Sequence, residues 1–232
     1  LWVGGRGGPD GMVHVSTAIV DGVFEAGEEG FEFTNTASAG DTVQVRSTIV
    51  TSPYFSPDAV SHQDFVSTFT DLNTRVPGTD FEIPNHTPLG LSVTLESYAW
   101  NYPYTDAFVI LNYTVTNVSR YRISDLYAGI WADAAVGNMN YTSIYVSGGG
   151  WSWYDNFNGF DQDYDMAYQF DADGDDGFAE SYFGLRYLGC SRRQDSVRVN
   201  YDQWRWSSSS TLDFPEYVMP LTDEGRYEVL RG

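Results

Sequence analysis

The sequence predicts an all-β fold, an antiparallel β-sandwich of the jelly-roll or immunoglobulin-like type with long loops. Three observations favour it: short β-branched and aromatic runs recur along the chain, clusters of Gly, Pro, Asn and Asp separate them, and no stretch has the period of a long amphipathic helix. With 232 residues, of which 42 % are hydrophobic, the chain can bury a substantial core. We therefore expect a single domain over residues 1–232.

The clearest strand signals lie in residues 89–100 and 106–117. In the first segment apolar and polar residues alternate as far as Leu95, which is typical of a half-buried strand, and the change of parity at Tyr98 predicts a β-bulge. The second segment carries apolar residues on both faces. It is therefore predicted to lie at the centre of a sheet.

Weaker strand signals complete the predicted sandwich. They cover residues 12–20, 42–50, 126–133, 164–170, 178–188 and 196–206. Residues 61–71 fit either a short helix or a covering loop, and their periodicity does not decide between the two. The glycine run at residues 148–150 and the serine run at residues 207–210 are predicted loops.

The chain is strongly acidic, with 32 Asp and Glu against 12 basic residues, all of them Arg, and a net charge of −20. The lack of Lys excludes a P-loop lysine, a Schiff base and a Ser-Lys dyad. The negative charge makes nucleic acid a poor partner, because the phosphate backbone would be repelled. No apolar stretch is long enough for a membrane span, so none is predicted.

No catalytic machinery is recognisable, and we predict that the protein is not an enzyme. His14, His62 and His86 lie far apart without an HExxH pairing, and each is expected on the surface or in a loop. Cys190 is expected to be a buried small hydrophobe. The chain has no Gly-x-Ser-x-Gly elbow, and nothing marks one Glu as the acid of a glycosidase.

Residues 161–177 hold seven carboxylates, in the order DQDYDMAYQFDADGDDG. Alternating Asp residues with interspersed Gly are typical of calcium loops, where side-chain oxygens bind the ion and Gly permits sharp turns. An EF-hand is excluded, because its twelfth loop position, counted from Asp171, is Tyr182. The predicted calcium ligands are Asp171, Asp173, Asp175, Asp176 and Glu180. The alternative is a solvated acidic turn between two strands.

An aromatic cluster beside the glycine run is a candidate for sugar stacking, since exposed rings can pack on pyranose faces. Its members are Trp151, Trp153, Tyr154, Phe157 and Phe160, and Trp204 with Trp206 is a second candidate. The alternative is that these rings seal one end of the sandwich or are buried against a neighbouring subunit.

Several short motifs match glycosylation signals. The N-x-S/T sequons lie at Asn85, Asn112, Asn117 and Asn140. Thr42 and Ser196 match an Asp-Ser/Thr-apolar pattern of bacterial O-glycosylation. In a bacterial protein chance also accounts for such matches.

The segments HTPLGLSVTLESYAWNYPYTDAFVILNYTVTN, SDLYAGIWADAAVG, DMAYQFDADGDDGFAESYFGLRYLG and DEGRYEVLRG resemble, in that order, a poorly characterised β-rich region of large secreted proteins. These come from Bacteroidetes-like bacteria, often with type IX secretion sorting domains. The resemblance implies an extracellular β-sandwich, and either a fragment of a longer secreted protein or a shortened relative. Where relatives tend to have two Asp separated by one residue, this chain has Asp133-Ala134-Ala135.

Together these observations predict a non-catalytic extracellular or cell-surface structural or adhesive protein. We expect it to be calcium-stabilised and to self-associate into a filament or surface layer, or to bind other cell-surface proteins. The alternative is a carbohydrate-binding accessory module of a secreted enzyme, with polysaccharide as the partner.

Overall fold

The structure is a computed structural model that describes residues 1–18, 30–36, 41–137, 156–172, 179–192, 197–204 and 219–232. Within these residues it contains ten β-strands in three antiparallel sheets and one short α-helix. The predicted all-β, antiparallel, sandwich-like class is confirmed. No helix in the described ranges is both long and apolar enough to span a membrane.

The elements follow the chain in a simple order. The strands are β1 (Trp2–Gly7), β2 (Met12–Thr17), β3 (Gln44–Arg46), β4 (Gln63–Thr70), β5 (Leu91–Ala99), β6 (Ile110–Asn117), β7 (Ser124–Gly129), β8 (Asn156–Asp161), β9 (Met166–Asp171) and β10 (Tyr182–Arg186), and the helix is α1 (Asp223–Arg231). Strands β1 and β8 were not predicted from the sequence, and neither was α1.

The chain divides into two compact units, described separately here. The first comprises Leu1–Trp131 with Pro220–Leu230, and the second comprises Ala132–Met219 with Arg231–Gly232. Because compactness is not the same property as independent folding, the single domain over residues 1–232 stays a prediction.

In the first unit a three-stranded sheet has the order β2-β1-β7. Helix α1 covers it, because Tyr227 packs with Val13 and Val15. Gly4 permits this close approach, since a Cβ there would lie 3.1 Å from Leu230 and from Tyr227. The helix is capped by Thr222, whose Oγ1 accepts a hydrogen bond from the Gly225 N–H at 3.2 Å.

The first unit also contains a four-stranded sheet with the order β3-β4-β5-β6. Residues 61–71, expected as a helix or loop, form β4. The predicted bulge at Tyr98 is wrong, because β4 and β5 pair in one unbroken register from Thr70↔Ser92 to Gln63↔Ala99. Strand β6 is at the sheet edge among the described residues rather than at the predicted centre, because only β5 pairs with it there.

The second unit contains a three-stranded sheet with the order β10-β9-β8. Strands β9 and β10 fall within or beside the segments predicted for them. The strand predicted over residues 196–206 is wrong for residues 197–204, which form no strand, while residues 196, 205 and 206 lie outside the described residues.

Candidate functional site

One face of the four-stranded sheet is mainly apolar, and only one end of it is buried. At the buried end Leu91 and Val93 of β5 form a core cluster with Val3, Phe33 and Leu89. At the other end Phe65 of β4 and Leu111 of β6 are both aligned with Ser97 of β5, so they share that face. Their exposed fractions are 41 % and 44 %. The apolar face therefore continues past its cover into solvent.

The opposite face of this sheet is polar. Thr68, Thr94 and Thr114 lie in register across β4, β5 and β6, and the Thr68 and Thr94 hydroxyl oxygens are 3.4 Å apart. Beside them, Asn112 donates a hydrogen bond to Glu96 over 3.1 Å. On β4 three residues of this face, Asp64, Val66 and Thr70, are buried, so only the central part of the polar face is solvated.

Within the part of the chain that the structure describes, strand β6 pairs with another strand along one side only. The Val118 N–H donates to the Gly90 carbonyl at 2.9 Å, which continues the ladder between β5 and β6. Backbone N–H and C=O groups alternate in direction along a strand, so those of the even-numbered residues of β6 point toward β5. The N–H groups of Leu111, Tyr113 and Val115 therefore point away from the sheet, and no strand within the described ranges pairs with them.

The edge formed by β6 lacks the features with which proteins usually prevent edge-to-edge pairing. Such features are Pro, charged side chains, bulges and very short strands. The sequence of β6, ILNYTVTN, contains no Pro and no charge, its register with β5 is regular, and it is eight residues long. It is therefore a competent template for a further strand.

A buried carboxylate, Asp71, anchors the core end of this sheet. Its Oδ1 accepts the N–H groups of Gly90 at 3.1 Å and Leu91 at 2.6 Å, and its Oδ2 accepts the Leu89 N–H and the Ser16 hydroxyl, both at 2.9 Å. Burial raises the pKa of Asp71, while these hydrogen bonds oppose the rise. These four hydrogen bonds connect the two sheets of the first unit, because Ser16 is on β2 and Leu91 is on β5.

A buried ion pair lies beneath α1. Arg226 Nη1 is 3.4 Å from Glu32 Oε1, both side chains are almost fully buried, and the Arg226 guanidinium lies 5.7 Å from the ring centre of Trp2. Glu32 also accepts a short hydrogen bond from the Thr17 hydroxyl. Burial raises the pKa of Glu32, and the Thr17 hydrogen bond and the Arg226 charge act in the opposite direction.

Each of the three histidines makes hydrogen bonds within the first unit. His14 was expected on the surface, but it is buried in β2 between two carboxylates, with Nε2 2.9 Å from Asp10 and Nδ1 3.1 Å from Asp223. The hydrogen bond from His14 lowers the pKa of Asp10, and burial raises the pKa of Asp223. His62 Nδ1 accepts the Asn101 N–H, and His86 Nε2 contacts a backbone carbonyl.

Cys190 is exposed, so its expected burial is wrong. Its sulfur accepts the Arg192 N–H at 3.4 Å. The hydrogen bond with Tyr187 is the largest influence on both groups, lowering the pKa of the Cys190 thiol and raising the pKa of Tyr187 to about 12.

The structure describes two of the five predicted calcium ligands. Asp171 is buried at the end of β9, and its Oδ2 accepts the Ala179 N–H at 2.7 Å, so this bond joins the two ends of the acidic loop. Glu180 is exposed beside it. Asp173, Asp175 and Asp176 lie outside the described residues. In the described residues no group of three or more His, Cys, Asp or Glu side chains could hold a metal ion.

The other predicted site residues are dispersed. Of the proposed sugar-stacking residues, Trp151, Trp153, Tyr154 and Trp206 lie outside the described residues, as do Asn140 and Ser196, whereas Phe157 and Phe160 are on β8. Thr42 is exposed, and Asn85 is in a turn with a positive φ of 53°.

The two remaining sequons lie on β6, and both side chains are hydrogen-bonded. Asn112 bonds to Glu96 as described above, and the Asn117 amide donates to the Tyr121 carbonyl at 2.8 Å. A glycan on either nitrogen would alter that bond.

A second exposed surface lies on the sheet of β8, β9 and β10. Phe157, Phe170 and Tyr182 are aligned across its three strands, and Tyr168 follows on the same face. The signal in the sequence that could have indicated this surface is the spacing of Tyr168 and Phe170, since residues two apart lie on one face of a strand.

Comparison with protein-family models, with curated proteins and with solved structures gave no match.

Proposed function

We propose that the protein is a non-catalytic structural or adhesive protein of the cell exterior, which self-associates by strand addition along β6. The observation that carries this proposal is the uncharged, eight-residue edge of β6, with which no other strand of the described residues pairs. The extracellular location is supported by the resemblance to secreted β-rich regions and by an acidic composition suited to salty or calcium-rich surroundings.

Strand addition would use both the outward backbone groups of β6 and the exposed apolar residues of the sheet. The outward N–H and C=O groups of β6 can form main-chain hydrogen bonds with an incoming strand, each contributing a net of about 0.5–1.5 kcal/mol. The exposed apolar pair Phe65 and Leu111 lies on the same sheet, so a further strand would extend the apolar face as well. Since β6 has no charged residue, the net charge of −20 is not concentrated where the chains meet.

The geometry of pairing determines the kind of assembly. Two β6 strands pairing with each other make a closed, two-fold dimer, because each copy uses the same edge. Pairing of β6 with the other edge of the sheet, at β3, would leave a free edge at each end and so build a filament. Strand β3 is only three residues long, so we expect the β6–β6 dimer to be the basic unit and any filament to need a second contact.

The proposal includes calcium bound by the acidic loop that follows β9. Support comes from the alternating Asp residues of the sequence and from Asp171, whose bond to Ala179 holds the ends of the loop together. We expect calcium to raise the thermal midpoint relative to excess chelator, because an ion that binds only the folded state stabilises it by mass action. Replacing both Asp173 and Asp175 by Asn should abolish that shift, and no shift in the unsubstituted protein contradicts the calcium site.

The deciding experiment for self-association compares Leu111→Pro with Leu111→Ala. The Pro variant loses an outward N–H and resists pairing, whereas the Ala variant keeps the N–H and loses the same apolar side chain. Sedimentation velocity over a range of protein concentrations, with and without calcium, should show dimers for the unsubstituted chain, weaker dimers for Leu111→Ala, and monomers for Leu111→Pro. A strict monomer under all conditions overturns the proposal, and equal loss in both variants assigns the contact to side chains instead of the strand edge.

A further inference from the structure

The sheet of β8, β9 and β10 carries a continuous row of aromatic rings. Phe157, Phe170 and Tyr182 are register partners, with ring centres 6.4 Å and 5.5 Å apart, and Tyr168 lies 6.0 Å from Phe170. These four residues are called the aromatic strip. Neighbouring strands are about 4.8 Å apart, so the row of three rings crosses about 10 Å of the sheet.

The aromatic strip faces solvent. Phe157 is 60 % exposed and Tyr182 is 64 % exposed, and the two rings between and beside them are half-buried. Single exposed aromatic residues are common on protein surfaces, but a contiguous group of four costs hydrophobic free energy unless something binds to it. The strip is therefore a candidate binding surface.

The residues on both sides of Tyr168 are glycines, so no side chain rises beside its ring. Its register partners are Gly159 on β8 and Gly184 on β10. A Cβ at Gly159 would lie only 2.6 Å from the Tyr168 hydroxyl oxygen, so the Tyr168 side chain extends over the space that a side chain would fill. The result is a platform without a ridge on either side.

The other face of this sheet is covered by the chain on β8, while Phe183 of β10 is 38 % exposed there. Tyr201 stacks on Phe160 with ring centres 5.5 Å apart, and its hydroxyl donates to Asn158 at 2.6 Å. The Asn156 amide donates to the Val136 carbonyl at 2.7 Å. Of the two faces, the one that carries the aromatic strip is thus the more open one.

Polar groups border the aromatic strip at one end. Asp161 and Arg186 are the register partners of Met166, which follows Tyr168 on the same face of the sheet. The Arg186 guanidinium lies 5.9 Å from the ring centre of Tyr164. Rings flanked by an acceptor, a guanidinium and phenol hydroxyls match the two surfaces of a sugar, since C–H groups pack on the rings and hydroxyls bond at the rim.

We propose that the aromatic strip binds a neutral polysaccharide. Acidic polymers are disfavoured by the net charge of −20. A second copy of the chain is disfavoured in the two-fold arrangement that sets the two β8–β9 turns side by side, because Asp161, Asp163 and Asp165 of both copies would then lie close to each other. An extended chain of uncharged sugars lying along the rings meets neither repulsion.

The test is co-sedimentation with insoluble cellulose, chitin, β-1,3-glucan and starch, and affinity electrophoresis with soluble xylan and with the acidic polymer alginate. The unsubstituted chain should bind at least one neutral polymer and not alginate. The double variant Phe157→Ala/Tyr182→Ala should bind at least about tenfold more weakly, which corresponds to 1.4 kcal/mol. The matched control is Tyr104→Ala, which removes a 77 % exposed ring from the other unit and should bind normally.

The outcomes separate this proposal from alternatives. Both substituted rings are surface groups, so the double variant should keep its circular dichroism spectrum and melting midpoint within a few degrees. Binding to no neutral polymer, or equal binding by the double variant, overturns the proposal. If the double variant instead loses dimers in sedimentation velocity, the strip is an interface between copies. Leu111→Pro should bind polysaccharide normally, so failure of the β6 edge leaves this result unaffected.

Discussion

Two of the sheets have three strands each but opposite surroundings. In the sheet of β2, β1 and β7, nearly every residue of β1 and β2 is buried, although most residues of these strands are small or β-branched. In the sheet of β10, β9 and β8, the strands are rich in aromatic residues, yet β10 is mostly exposed. Burial therefore follows from what covers a sheet, here α1 on one face and the core cluster around Leu91 on the other, and not from how apolar its strands are.

The first test of this difference removes the cover. Tyr227 of α1 packs on Val13 and Val15, meets the Tyr127 ring edge-on at 5.4 Å and donates to the Asp125 carbonyl at 2.9 Å. We expect Tyr227→Ala to lower the free energy of unfolding by about 3–5 kcal/mol. Tyr182→Ala, which removes the same ring type from the exposed sheet, should cost less than about 1 kcal/mol. Urea unfolding of both variants measures this, and equal losses would contradict the comparison.

The buried ion pair offers a second test. Arg226→Met leaves Glu32 buried without its cation, and we expect a loss of about 3 kcal/mol. Adding Glu32→Leu should recover most of that loss, because replacing both partners of a buried pair by apolar groups is often close to neutral. Urea midpoints of the single and double variants report the effect, and a double variant no better than the single one would show that the charge is not the cause.

The glycines of the two sheets allow a smaller and more local test. A Cβ at Gly4 would lie 3.0 Å from Val15 and 3.1 Å from both Leu230 and Tyr227, so Gly4→Ala should cost about 1–3 kcal/mol by overpacking. Gly159→Ala in the exposed sheet meets only the end of the Tyr168 side chain, which can move into solvent, so its cost should stay below about 1 kcal/mol. Hydrogen exchange should show loosening of β1 and β2 in the first variant, and unchanged exchange there would count against close packing by α1.

The smallest expected effect is a pH dependence of the covered sheet. Burial raises the pKa of Glu32 above its ordinary value of 4.5. Between that value and the raised one, the folded protein binds more protons than the unfolded chain, so the free energy of unfolding falls as pH rises through this window. Burial also raises the pKa of Asp71 and of Asp223, so both groups act in the same direction. Glu32→Gln should flatten the fall in urea midpoint with rising pH, and an unchanged slope would exclude Glu32 as a contributor.

The sequence predicted the elements whose side chains follow a regular pattern. Residues 91–95 alternate cleanly, and β5 forms there. Strand β4 was missed because Asp64, a buried carboxylate bonded to the Ser61 N–H at 2.8 Å, stands where an apolar residue would complete the pattern. Helix α1 was missed because it is nine residues long and contains Gly225 in its first turn.

The candidate site was predictable only in part, and for a physical reason. The apolar content of β6 was visible in the sequence, but its position at an edge depends on which strands pair with it, which side chains of β6 alone do not specify. The aromatic strip requires the register of three strands to align Phe157, Phe170 and Tyr182, and register is a property of the assembled sheet.

The hydrogen bond between His14 and Asp223 joins residues 209 positions apart in the chain. Helix α1 supplies the cover of β1 and β2, so these strands cannot complete their packing until the distant helix has been synthesised. Contacts of such high sequence separation slow folding and leave apolar surface exposed in the meantime. During synthesis we therefore expect the first two strands to remain open to a chaperone, while the sheet of β8, β9 and β10, whose strands are close in sequence, can form as soon as it leaves the ribosome.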